Sequence, residues 1–322
     1  MKFVRSRTLA VAVLATAACA DDTTTAPEQF SPEFSQSVES HAIAAEAIDP
    51  AAIEAFYVNE MAAMNAQLEA EGSNMRVAVA ELLLAPEAPA NVGTTIYADN
   101  RTQQLGYIWV QGDPRRDGRD YLTYLVDESH AYAFTRTDYP ATTYMGGHMD
   151  AAFSPWTSLT CNKLDLVRVP DNGTDPSFYD FPNINDGATV YGQADIVEAG
   201  WRTLPAGVLG TSYTWVFVDA EGNPTDINGD GRRDTSRNEV WFARGYYWTT
   251  NDVAGIDFLS VAIHENGHSI GLGHFGMIFQ SDANGMLHFS PRSIMNAAYV
   301  SRMQDLRGTD VAAFCTNYAS WE

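Results

Sequence analysis

Between Pro50 and Gly72 apolar side chains return every three or four positions: Ile53, Phe56, Tyr57, Met61, Met64 and Leu68. That period puts them on one face of a helix. Asp49 before Pro50 supplies a capping side chain and a first-turn proline, and Ser31-Pro32 gives the same start signal upstream. Gly72 ends the run. A second apolar piece, VAVAELLLAPEAP, follows and closes on proline and alanine, with a change of composition near residues 90–95. Residues 20–95 are therefore expected to form a helical N-terminal segment.

Beyond residue 95 the pattern changes. Short runs rich in β-branched and aromatic residues, bounded by turn formers, read as strands: Tyr121–Asp127, Leu164–Val169, Thr214–Asp219 and Glu239–Phe242. YMGGHMDAAFSPW and the segment holding ADIVEAGW read as helices between them. Strands mixed with helices predict an α/β (α+β) layer with a mixed, twisted sheet. The chain shows no internal repeat.

One helix carries chemistry. In GIDFLSVAI, Asp257 is a plausible N-cap and Phe258, Val261 and Ala262 form an apolar face; the run continues into HENGHSIGLGH. The chain has seven histidines, and His264, His268 and His274 fall in this one stretch. Residues four apart share a helix face, so His264 and His268 can reach a single ion. His274 is too far along to share that face. Gly271 resolves this, because glycine takes a positive φ and lets the chain turn back. Three neutral imidazoles with one open position suit a catalytic zinc rather than a closed structural one, which favours a fourth protein ligand. Glu265 points roughly 100° around the helix from His264. It can stand over the open position as a general base, taking a proton from a water whose pKa the metal lowers toward ~7. A non-enzyme has no need of a carboxylate there. Turnover therefore ranks above the alternative, an exported zinc-scaffold protein that binds or adheres without it.

Composition narrows the setting. Lys and Arg number 19 against 41 Asp and Glu, a formal charge of −22, which argues against a nucleic-acid partner. Lys2, Arg5 and Arg7 precede TLAVAVLATAACA, too short to span a bilayer and suited to a signal-peptide h-region over residues 1–19. Two outcomes stay open: lipidation of Cys19, as in a bacterial lipoprotein, or plain cleavage after Ala20. Either exports the chain, to the cell envelope or into the medium, with contact to membrane only through that lipid. Cys161 and Cys315 then remain, an even number, to be paired or left as two buried thiols.

HENGHSIGLGH is similar to the H-E-x-x-H-x-x-G-x-x-H signature of the metzincin metallopeptidases. RSIMNAAY resembles that clan's methionine turn, with Met295 as the hydrophobic floor under the histidines. Tyr299, four residues on, matches the matrixin type, in which it walls the S1′ pocket; Ala297 stands where astacins and serralysins carry a zinc-binding tyrosine. FSPWTSLTCNKLDLVRV and LRGTDVAAFCTNY also resemble matrixin segments in order. Phe275 departs from the serine usual after the third histidine. The resemblance implies a zincin fold over residues 96–322, with a small C-terminal subdomain after Gly271, acting as a monomer. It implies zinc on His264, His268 and His274, with Glu265 as base. It also implies an extended protein or peptide substrate added to a sheet edge at the strand of VWFARGYYW. No cysteine lies between Cys19 and Cys161, so residues 20–95 cannot be a cysteine-switch propeptide; they are a propeptide using another blocking group, a stalk or a chaperoning segment.

DINGDGRRD suggests a second ion. Asp226, Asn228, Asp230 and Asp234, with Gly231 at the turn, match the start of an oxygen-rich calcium loop, although Arg237 replaces the final acid. The competing expectation is a turn that binds nothing. His41, His130, His148 and His288 are singletons without ligand spacing.

Overall fold

The computed structural model describes residues 48–86, 105–134, 142–180, 183–184, 193–250, 254–280 and 287–321. The leader at 1–19, Cys19, the Ser31-Pro32 start and His41 lie outside them. Helix α1 (Pro50–Ala70) forms where its spacing places it. The Asp49 carboxylate accepts the Ala51 N–H at 3.0 Å, and Ile53, Tyr57, Met64 and Leu68 are buried. Among the described residues no helix is long and apolar enough to cross a membrane.

The expected all-helical N-terminal segment is corrected at once. Met75–Leu84 is strand β1, and it belongs to the main sheet. Val77, Val79 and the leucines at 82–84 include β-branched and bulky side chains that fit a pleated surface, and pairing with a neighbouring strand overrides any helical tendency. The sheet's other strands are β2 (Tyr107–Ile108), β3 (Leu122–Val126), β4 (Leu166–Arg168), β5 (Ile196–Arg202), β6 (Val208–Phe217) and β7 (Arg233–Ala243). Their order is β1-β6-β7-β5-β3-β4, with β2 alongside β7. Pairings β1–β6 and β6–β7 are antiparallel, whereas β7–β5, β5–β3, β3–β4 and β2–β7 are parallel. The sheet is thus mixed, within an α+β architecture.

ADIVEAGW is a second correction, being strand β5 rather than a helix. All seven β5 residues are buried, and a strand covered on both faces shows no alternation to betray it. The third concerns the edge. The strand of VWFARGYYW is β7, which lies between β6 and β5 and has no free edge.

Two cores line the two faces. Tyr57, Met64, Leu68, Trp215 and Trp241 pack under α1; Trp156, Phe258, Val261, Met295 and Phe314 form the core on the other side. Val240 and Phe242 belong to the second core and Trp241 to the first, as the strand's period of two requires. The helical stretch around His148 is two short helices, α2 (Gly146–Ala151) and α3 (Ser154–Thr157). Helix α4 (Phe258–Ser269) crosses beneath β6, and α5 (Gly308–Asn317) closes the described chain. Cys161 and Cys315 form a disulfide that ties the loop after α3 to α5 across 154 residues.

Candidate metal centre

Helix α4 starts at Asp257, whose carboxylate accepts the Ser260 N–H at 2.9 Å and its hydroxyl at 2.5 Å. The helix stops at Ile270, and Gly271 adopts φ 78°. The Gly271 N–H reaches the His268 carbonyl at 2.8 Å and the Leu272 N–H reaches that of Gly267 at 2.9 Å, which satisfies the last carbonyls and turns the chain back. His274 is carried to the same point as His264 and His268.

The three rings converge through one kind of atom. His268 Nε2 lies 3.0 Å from His264 Nε2 and 3.2 Å from His274 Nε2. Their other nitrogens are already engaged. His264 Nδ1 donates to the Ile294 carbonyl and His268 Nδ1 to that of Leu272, both at 2.7 Å, while His274 Nδ1 faces the Glu81 carboxylate at 3.4 Å. Protons on Nδ1 leave the Nε2 lone pairs aimed at one another, an arrangement that a shared cation relieves. Tetrahedral zinc with ~2.0–2.1 Å bonds to nitrogen sets its ligands about 3.3 Å apart, close to the spacing here. Burial holds all three histidines below their ordinary range, His264 at about 4. They are thus neutral ligands at neutral pH.

Glu265 is fully buried between α4 and β6, and neither carboxylate oxygen has a hydrogen-bond partner. Burial pushes it well above its ordinary value, with the charges of Glu198 and Glu81 adding to the rise. The Leu83 amide pulls the other way, without reaching hydrogen-bond geometry. Gly210 makes the space: a Cβ there would stand 2.6 Å from Glu265 Oε1.

Met295 is completely buried under the helix. A side chain at Gly267 would come within 2.3 Å of its sulfur, so the glycine sets how closely the floor approaches. The turn carrying Met295 is gripped by Asp310 of α5. That carboxylate accepts from the Ser293 hydroxyl and from the backbone N–H of Ile294 at 3.1 Å and Arg307 at 2.7 Å. Tyr299 accepts the Asp257 N–H on its hydroxyl at 3.2 Å, and burial pushes its own pKa up to about 12. It lines a pocket with Leu83, Ser260, His264, Ile294 and Met303. Gly210, Asp310 and Glu81 escaped the sequence reading because each acts across the fold. None stands in a motif.

The four residues expected to form a calcium loop are engaged within the chain. Asp234 is buried and turned inward, accepting from Arg115 at 2.7 Å, Thr225 at 2.6 Å and the Ile227 N–H at 3.1 Å. Asp226 accepts the Asp230 and Gly231 N–H groups, Asn228 donates to Asp230, and Asp230 pairs with Arg232. The chain's own donors reach each of these side chains within the loop. Among the described residues a second close group is Asp127, His130 and Asp175. Asp127 and His130 already form a 2.9 Å pair, so His130 is not the singleton its spacing suggested.

No family model matches the chain. A stretch of 36 residues is 54% identical to matrilysin of Rattus norvegicus. It covers 11% of this chain and 14% of that protein's length. A short match to a matrixin weakly suggests a metzincin-like relationship and hints at metalloprotease chemistry.

Proposed function

We propose that this chain is an exported zinc-dependent endopeptidase of the metzincin type, closest to the matrixins within it. The observation that carries the proposal is the convergence of three histidines, two of them held by Nδ1 hydrogen bonds, through their Nε2 atoms on one point near a buried carboxylate whose oxygens lack hydrogen-bond partners. His264, His268 and His274 would hold the zinc. When bound, the ion supplies Lewis acidity toward the scissile carbonyl and makes water acidic enough to be deprotonated near neutral pH. Glu265 takes the proton from the attacking water and passes it to the nitrogen of the leaving amine. Tyr299 and Met303 shape the pocket for the residue after the cut bond, and Met295 supports the rings from below.

A second reading, a zinc-scaffold protein that binds without turnover, is favoured by the burial of the site: the three histidines are 1–5% exposed. Purified protein is expected to cleave a denatured protein or a peptide library and to stop when zinc is chelated. Glu265→Ala should abolish turnover while metal analysis still finds one zinc per chain. Full activity in that variant would remove the mechanism. No cleavage by the wild type under any condition would favour the binding reading.

A further inference from the structure

Asp127, His130 and Asp175 form a cluster that shares no residue with the three-histidine centre and that the proposed activity does not use. We propose that it is a second divalent-metal site, of the mixed nitrogen and oxygen kind that suits zinc. Its ion would clamp the turn after β3 to the chain after β4. The inference goes beyond the peptidase reading and does not depend on turnover.

The donor set fits such an ion. One carboxylate oxygen from each aspartate and one ring nitrogen of His130 lie within 4.8 Å of one another. His130 Nδ1 is 2.9 Å from Asp127 Oδ2, close to the ~3.3 Å between two ligands of a tetrahedral zinc. Either neutral tautomer of the ring keeps one nitrogen with a lone pair for a cation. Imidazole favours zinc and its neighbours over calcium, so the nitrogen sets the class of ion. Asp127 is completely buried, whereas the His130 side chain is 36% exposed, which gives the ion a way in. Burial opposes ionisation of Asp127, but bonds from His130 and Ser129 outweigh it and hold the carboxyl below its ordinary value. Two carboxylates facing each other across so short a gap repel, and a dication removes that repulsion.

The main sheet holds the three side chains in place. Both aspartates stand two residues before a serine that grips them. Asp127 Oδ1 accepts the Ser129 N–H at 2.9 Å and its hydroxyl at 2.6 Å, and Asp175 Oδ1 accepts the Ser177 N–H at 2.8 Å and its hydroxyl. One oxygen of each is thereby fixed. The Asp127 N–H donates to the Glu198 carbonyl of β5 at 3.0 Å. Gly200 of the same strand makes room for the His130 backbone, since a Cβ there would stand 2.3 Å from the His130 carbonyl oxygen. Beside Asp175, the Pro176 carbonyl accepts from Arg237 and the Phe178 N–H donates to Glu239 at 2.7 Å, both on β7. The ligands are far apart in sequence, yet each is pinned to the sheet, which is the preorganisation a metal site requires. Sequence spacing hides the site because Asp175 arrives from beyond β4.

The test counts zinc. The full chain is stripped with a chelator, reloaded with a modest excess of zinc sulfate, desalted, and its metal measured by mass spectrometry beside the protein concentration. His130→Ala and Asp175→Asn should each carry about one zinc per chain fewer than wild type. His148→Ala, a histidine outside the cluster, should carry as much as wild type. Asp175→Asn keeps an oxygen for Ser177 and removes only the charge, so it decides the matter should circular dichroism show His130→Ala unfolded. Full retention of zinc by either folded variant would overturn the proposal. An equal loss in His148→Ala would do the same, because it would mark ordinary surface binding. Uptake of calcium in place of zinc, lost in the same variants, would overturn the assignment of a zinc-class ion. The readout is a difference between variants, so failure of the three-histidine centre to hold zinc would lower every total and leave this comparison intact.

Discussion

At the scale of single residues, the site depends as much on what is missing as on what is present. Gly210 has no side chain, and Glu265 fills that space. Gly210→Ala forces the carboxylate to swing away while β6 keeps its backbone, so turnover should fall by at least tenfold with zinc content unchanged. Steady-state kinetics beside metal analysis checks this, and unaltered turnover would show that the carboxylate has room elsewhere. Glu198 presents the opposite case. It is buried on β5 with both oxygens lacking a hydrogen-bond partner, and burial raises its pKa well above the ordinary 4.5. The folded state therefore keeps a proton that the unfolded chain gives up. Stability falls as pH rises from the ordinary value toward the folded one. Glu198→Gln removes that penalty: urea midpoints should drop from pH 5 to pH 8 less steeply in the variant than in wild type. Parallel pH profiles would refute the assignment.

At the scale of elements, legibility tracked how local the signal was. Helix α1 and helix α4 could be read because period, cap and stop lie within about twenty consecutive residues, and the histidine triad came with α4. Strands β1 and β5 could not. β5 is buried throughout and shows no alternation, and β1 has its partner, β6, more than a hundred residues away in the chain. Asp310 and Gly210 were illegible for the same reason. The acid loop at 226–234 shows the limit of spacing, which describes which oxygens are near one another in sequence and not that Arg115 pairs with Asp234. The cap of α4 gives this scale its prediction. Asp257 satisfies the helix's first turn through Ser260 and also accepts from Gln304 at 3.0 Å. Asp257→Ala should cost about 1–2 kcal/mol, measured by chemical denaturation of the metal-free protein. A loss near zero would mean that other groups cap the helix.

At the scale of the whole molecule, the three-histidine cluster leans on parts of the chain beyond its own helix, and the disulfide lies behind one of them. Two of the three histidines sit on α4, but the carbonyl that orients His264 belongs to Ile294, in a turn held by Asp310 of α5. Cys315 lies in that same helix and is bonded to Cys161, near the Trp156 ring that packs on Phe314 and donates to the Ile263 carbonyl at 3.0 Å. The cross-link thus shortens the chain's path between α3 and α5, and through α5 steadies the turn under the histidines. Replacing both cysteines by serine should lower stability by about 2–5 kcal/mol, the usual cost of losing a native bridge. It should also weaken zinc binding about tenfold, the lower end of what loosened ligand orientation costs. The two effects separate by experiment: denaturation of the metal-free protein gives the first, and competition with a coloured chelator under folding conditions gives the second. Lower stability with undiminished zinc affinity would show that α5 grips the turn without help from the bridge. Loss of both would place the disulfide in the support of the metal site itself.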